Sequence, residues 1–383
     1  MDRIAINPKL LIWARERAGL DIPSLTRRFP NIAQWESGER QPTLCQLEDF
    51  ASAVHIPIGY LFLSEPFEEH LPIPDLRAKD GNGMSRPGIN LLDTIYLCQQ
   101  RQDWFRDHVR LNGLDPLEFV GSATIEDAPE QVAKAMRKTL SFGMEAQQKL
   151  PTWKDVFYAL VKKTEDVGAL VMISDVVGDD KHRKLSVAEF RGFALADDLA
   201  PLIFINGADY EAGQMFILAH ELAHLWLGKS GVSNPEAGKV SRLSIERWCD
   251  AVALEFLMPL AMLRQVYQSD RPIMDEVQRL SRHFNVCTPV ILRRLFDAGF
   301  IDEPTLWQSY QKEMARIHNV EQSSGGRAIH TSKRFADAVL SSTLEGQTLF
   351  LDAFRMLGVR KTSDFCEAVR RLKEDKKIYD TTG

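Results

Sequence analysis

Cysteine is scarce in this sequence and never paired. Cys45, Cys98, Cys249, Cys287 and Cys366 are scattered, odd in number and form no CxxC. This excludes a disulfide framework and a cysteine-rich zinc ribbon, and it fits a reducing compartment. Long apolar runs are missing too: no stretch approaches the roughly eighteen apolar residues of a membrane span, and the first twenty residues carry charges without an apolar signal core. Excess positive charge is absent, since 47 Lys and Arg face 53 Asp and Glu for a formal net charge of -6. Any nucleic-acid contact must therefore come from a local patch. No repeat of fixed period is visible. These absences predict a cytoplasmic protein with no membrane segment. A hydrophobic share of 44% and a charged share of 26% over 383 residues suit two or three globular domains, because single cores stop growing at about 250 to 300 residues.

Glycine and proline punctuate what is there. Residues 1–65 read as an all-helical module, with helical stretches at 9–18, 24–29, 31–36, 43–54 and 57–63, each near a Gly or Pro stop. Residues 71–90 (LPIPDLRAKDGNGMSRPGIN) are rich in both and read as a linker, which with a long helix over 91–112 fills residues 66–115. In 116–265, helical text at 129–142 and 153–164 precedes short Val- and Ile-bearing runs at 169–174, 190–195 and 201–206, read as strands of a small sheet. Helices over 211–227 and 243–258 follow. Residues 266–322 contain a helix-turn-helix-like pair, 275–284 and 289–298, and 323–383 form a helical C-terminal region behind a break at 323–326. The fold class expected is α+β, mainly α.

Residues 216–227 read FILAHELAHLWL, in which His220, Glu221 and His224 form HExxH. Helix positions four apart share a face, so both imidazoles can ligate one Zn2+ while Glu221 stands beside the water that a catalytic zinc carries. The neighbours Ile217, Leu218, Leu222, Ala223, Leu225 and Trp226 are uncharged. They mark a buried helix, where two histidines without a metal would each need a hydrogen-bond partner. A catalytic zinc takes three protein ligands, and the downstream candidates are Glu236, Glu246, Cys249, Asp250 and Glu255. Glu246 follows His224 by 22 residues and precedes Asp250 by four. The favoured reading places Glu246 on zinc and Asp250 behind it, accepting the other ring N–H of a ligand histidine, most simply His220. Blander readings make Glu246 a solvated acid pairing with Arg242 or Arg247, and Cys249 simply a buried thiol. With zinc bound, Glu221 would take a proton from the attacking water and deliver it to a leaving amine, which is peptide-bond hydrolysis. The runs 190–195 and 201–206 either offer an edge to an extended peptide or are ordinary core strands. No oxyanion-stabilising residue stands out by spacing.

Taken together, LIWARERAGL and NIAQWESGERQPTLCQLEDFA at the front, LPIPDLR, EFRGFALADDLAPLIFIN, HELAHLWLG, IERWCDAVALEFLMP and, near the end, STLEGQTLFLDAFRMLG resemble the ImmA/IrrE family of bacterial zinc metallopeptidases. The likeness is to the form carrying an N-terminal XRE-type, lambda-repressor-like helix-turn-helix domain. It implies a zincin-like metallopeptidase core with His220, His224 and Glu246 as zinc ligands and Glu221 as the catalytic acid/base. It also implies a narrow protein substrate, a helix-turn-helix repressor or an antitoxin, because members of the family inactivate such repressors or occur in toxin–antitoxin-like gene pairs. Two other roles stay open: a DNA-binding transcriptional regulator with a structural or sensory zinc, and a toxin-like partner acting by binding alone.

The interval from Gly19 to Trp35 is about one helical turn shorter than is usual in domains of this type, so the recognition helix would suit a major groove less well. Residues 1–65 hold seven Lys/Arg against eight Asp/Glu, and Arg27 with Arg28 is their only dense positive spot. That pair is the candidate contact for DNA or protein.

Overall fold

Local capping decides where the first helices begin. Helix α1 (Pro8–Arg17) starts at Asn7, whose side chain accepts from the Lys9 N–H, with Pro8 at the first position, where its missing N–H costs nothing. Helix α2 (Ile22–Thr26) starts at Asp21, which accepts from the Ser24 N–H. This cap moves the helix ahead of the expected start at residue 24. After α3 (Ile32–Glu36), a capping box of Thr43 and Gln46 opens α4 (Leu44–Ala53). A 3-10 turn, Ile58–Phe62, stands where a further helix was expected. Leu25, Phe29, Ile32, Trp35, Leu47 and Phe50 share one small core.

This computed structural model describes residues 3–67, 69–77, 87–236, 241, 243–322, 330–359, 361–367, 369 and 370. Their contacts define two units, residues 1–72 with 84–93 and residues 73–83 with 94–383. The division falls within the long helix α5 (Ile89–Leu111). The expected break at 323–326 and Arg242 lie outside the described residues.

The second unit continues with α6 (Pro129–Thr139), α7 (Met144–Lys149), α8 (Trp153–Asp166), β1 (Leu170–Ser174), β2 (Val176–Val177), β3 (Asp180–Lys184), β4 (Gly192–Leu195), β5 (Leu202–Asn206) and α9 (Glu211–Trp226). Then come β6 (Gly231–Ser233), α10 (Ser244–Leu257), α11 (Leu260–Val266), α12 (Ile273–Phe284), α13 (Thr288–Asp297), α14 (Glu303–Gln322), α15 (Lys333–Leu344) and α16 (Phe350–Leu357). The fold is α+β and mainly α, as the sequence pattern predicts.

The main sheet has the order β1-β5-β4-β6, with β1 parallel to β5 and β4 antiparallel to both its neighbours. Strands β4 and β5, the two runs read either as an edge for a peptide or as ordinary core strands, are both interior, which is the second of those readings. The outer side of β6 is taken by residues 74–76: the Leu76 N–H donates to the Val232 carbonyl at 3.0 Å and the Val232 N–H to the Pro74 carbonyl at 2.9 Å. Part of the segment read as linker thus pairs with the sheet, and Arg77 forks onto the Asp75 carboxylate at 2.8 and 2.7 Å. Val171, Ile173, Ile203 and Ile205 enter the main core, whereas Met172 and Phe204, out of phase with them, line a cavity on the other face.

That core runs from Phe119 to Tyr310 and takes in Val277, Leu280, Phe284, Val290, Ile291 and Leu295. The helix-turn-helix-like pair α12 and α13 therefore shares its core with the segment 116–265. Two of the basic residues it carries are spent inside the fold. Arg293 pairs with Asp297 at 3.0 Å, and Arg294 pairs with Glu255 and donates to the Met258 carbonyl at 2.9 Å.

Candidate metal centre

Helix α9 is apolar nearly all round and buried from Gln214 to Leu227, as a helix through the middle of a domain must be. Its end fixes the site. The Gly228 N–H donates to Leu225 and the Lys229 N–H to His224, both at 3.0 Å, a Schellman arrangement with Gly228 at φ +62°. A Cβ at Gly228 would stand 3.0 Å from the Gly121 Cα; the Gly121 N–H adds a second hydrogen bond to the Leu225 carbonyl at 3.0 Å, and the Ala123 N–H satisfies the Trp226 carbonyl at 2.9 Å. The chain then turns directly into β6, which brings Ser233 back beside His224.

Helices α9 and α10 face each other with four side chains between them. The His220 Nδ1 lies 2.9 Å from Asp250 Oδ1, and the Nε2 atoms of His220 and His224 are 3.2 Å apart. Glu246 reaches both rings: its Oε1 is 3.0 Å from His224 Nε2 and its Oε2 3.4 Å from His220 Nε2. All four residues are at least 95% buried. A proton on His220 Nδ1, directed at Asp250, leaves its Nε2 lone pair turned toward His224 and Glu246.

These separations bear on whether one cation suits the group. A tetrahedral ion bonded at about 2.0 to 2.1 Å holds its ligand atoms about 3.3 to 3.4 Å apart. The two imidazoles and the two Glu246 oxygens, one facing each ring, lie 3.0 to 3.4 Å apart, near that spacing. The Cys249 Sγ also lies within 4.8 Å of the histidine ligand atoms and so stands in reach of the same ion; without a metal, burial holds its thiol well above the usual range. Both oxygens of Glu221 and the Nδ1 of His224 are buried without a hydrogen-bond partner among the described residues. A cluster made only to hold a core together leaves few such atoms.

Charge within the cluster is strongly redistributed. Burial opposes ionisation of Glu246, but the neighbouring His220, with His224, draws its carboxyl down to about 2. His220 is held well above its ordinary value by Glu246 and Asp250 against the effect of burial, while burial lowers His224. Glu221 stands apart: burial pushes it up to about 8, opposed by His220, reinforced by Glu246 and eased slightly by the Ser233 hydroxyl. A carboxyl near neutrality can both take and give a proton.

The other downstream candidates are engaged elsewhere. Glu255 pairs with Arg294, and Glu236 lies 3.8 Å from Arg191. Arg27 and Arg28 are exposed on the first unit, Arg28 over the Phe29 ring at 5.4 Å. Two residues of the centre escape the sequence reading. The Ser233 Oγ is 3.4 Å from His224 Nε2, and Gly192 lies under Glu221. A Cβ at Gly192 would meet Ile217 Cγ2 at 2.7 Å, Glu221 Oε1 at 2.9 Å and the Phe204 carbonyl at 3.0 Å. Gly192→Ala is therefore expected to destabilise the fold by about 1 to 3 kcal/mol through overpacking. In a unit of this size that lowers the melting temperature by roughly 2 to 4 °C per kcal/mol, which thermal denaturation would measure.

Residues 164–296, from the last turn of α8 to α13, match the family model of the IrrE N-terminal-like domain (Peptidase_M78). The stretch contains every residue of the cluster, and its likeness is to a zincin-like, metallopeptidase-like core. Residues 331–371 match a domain of unknown function, DUF8813. No curated protein matches the chain.

Proposed function

We propose that this chain is a zinc-dependent metalloendopeptidase that cleaves a specific regulatory protein, a helix-turn-helix repressor or an antitoxin. The observation that carries the reading is the convergence of His220, His224 and Glu246 within 3.0 to 3.4 Å beside a buried carboxyl, Glu221, whose oxygens make no well-formed hydrogen bond among the described residues. A zinc ion held by those three residues would supply Lewis acidity, lowering the pKa of a water and polarising a carbonyl. Asp250 fixes the His220 ring. Glu221, raised toward neutrality by its burial, receives the proton of the attacking water and returns it to the leaving amine. The narrow substrate is inferred from the family likeness of the sequence motifs.

A substrate trap tests the reading. The Glu221→Gln chain, expressed in the host cell and recovered under native conditions, is expected to retain a small helix-turn-helix protein, which the zinc-loaded wild-type chain then cuts at one bond. Retention of a protein that the wild type leaves intact over hours, with zinc bound, would overturn it.

A further inference from the structure

On the face of the sheet opposite α9, β1, β2, β3 and α5 border a cavity of about 200 Å³. Its walls include Met172, Val176 and Phe204, and from the segment matched to the domain of unknown function it takes Thr331, Leu357 and Gly358. It is larger than the roughly 150 Å³ cavity known to hold a benzene ring.

Arg101 sets this cavity apart. The residue is 8% exposed, and none of the ion pairs among the described residues gives its guanidinium a carboxylate. The Nε donates to the Met356 carbonyl at 3.0 Å, in the last turn of α16, and Nη1 lies 3.7 Å from the Met172 sulfur. A guanidinium has five N–H donors, and a thioether is a weak acceptor, so most of this donor capacity is unspent on protein oxygen. Arg293 and Arg294, each 5% exposed, do have acids, Asp297 and Glu255. A purely structural role, capping α16 and lying over the Phe335 ring at 5.9 Å, accounts for the Nε side and leaves the Nη side without a counter-charge, a costly arrangement. Lys181 and His330 also line the cavity, against one acid, Asp179.

We propose that this cavity binds a small organic anion, a carboxylate or phosphate on a compact apolar body, whose charged group pairs with Arg101. The apolar walls take the body, and the free Nη donors take the oxygens in the fork geometry that arginine offers to both kinds of anion. The site is separate from the metal centre and does not depend on the peptidase reading.

The test uses the full-length zinc-loaded chain with benzoate, phenyl phosphate and the neutral benzyl alcohol, read by isothermal titration and by hydrogen-exchange mass spectrometry. Benzoate, phenyl phosphate or both should bind, benzyl alcohol much more weakly, with protection confined to residues 172–178 and 354–358. Whichever anion binds identifies the headgroup. Arg101→Gln should weaken binding about 10- to 100-fold, the loss of a charge-assisted pair. Should that variant fail to fold, Lys181→Gln, on exposed β3, together with the wild-type exchange footprint decides. No binding at millimolar anion, equal binding of the alcohol, or a footprint on α9 and α10 instead would overturn the proposal.

Discussion

Glu246→Ala is expected to weaken zinc binding by more than about 100-fold, while Cys249→Ser leaves it within a few-fold. Structural zinc sites bind with about 10 to 16 kcal/mol over four protein ligands, or about 3 kcal/mol for each, and a full ligand lost is two orders of magnitude or more. The contrast between the variants matters because both residues sit on α10 within reach of the histidines, and simple proximity does not separate them. The choice of Glu246 rests on its carboxylate oxygens, 3.0 and 3.4 Å from the two Nε2 atoms, together with the family likeness of the sequence motifs. Asp250→Asn should fall between, at about 10- to 100-fold, since it disturbs only the group that orients His220. Competition with a chromophoric chelator measures all three. A large loss in Cys249→Ser with retention in Glu246→Ala would reverse the assignment.

The second large effect is kinetic. Glu221→Gln should retain zinc to within a few-fold and lower turnover by about 10²- to 10⁴-fold, the range for removing a general acid/base. The amide is nearly the same size, so the close contacts around Gly192 and Ile217 persist, and the fold should melt at a similar or higher temperature. A rise is expected on physical grounds, because burial makes the Glu221 carboxyl resist ionisation and the amide carries no charge to bury. Single-turnover cleavage of the trapped partner, with metal content measured on the same sample, separates the two readouts. Undiminished cleavage would remove Glu221 from the proton-transfer role.

The parts of this site that were legible in the sequence are those set by local geometry. HExxH encodes one helix face, and the four-residue step from Glu246 to Asp250 encodes a second, so α9 and α10 could be anticipated with their inward residues. Ser233 could not. It lies on a three-residue strand too short to show alternation, and its place depends on pairing with β4 and residues 74–76. Gly192 is invisible for the same reason, since its significance is a contact with a side chain 29 positions away. Strand β3 reads DKHRK, a charged loop by composition that becomes a strand only through β2. Whether β4 and β5 were interior or edge was likewise undetermined, because a buried run of alternating or continuous apolar residues looks the same in either position. Arg101, on a long helix of mixed polarity, reads as one more solvated charge.

The pairing of residues 74–76 with β6 has a further consequence. A β-strand left open at the rim of a sheet is a template onto which foreign chains add, and proteins commonly blunt it with charge, proline or a cover. Here the polypeptide is its own donor strand: it fills that template, brings Pro74 to the rim and fastens the end with the Arg77 fork on Asp75. Leu76 packs so closely on Gly231 that a Cβ there would overlap its Cδ1, so glycine is the residue that lets the seal close. The Val232 N–H and carbonyl are thereby already spent within the chain, and neither is left to pair with an added strand.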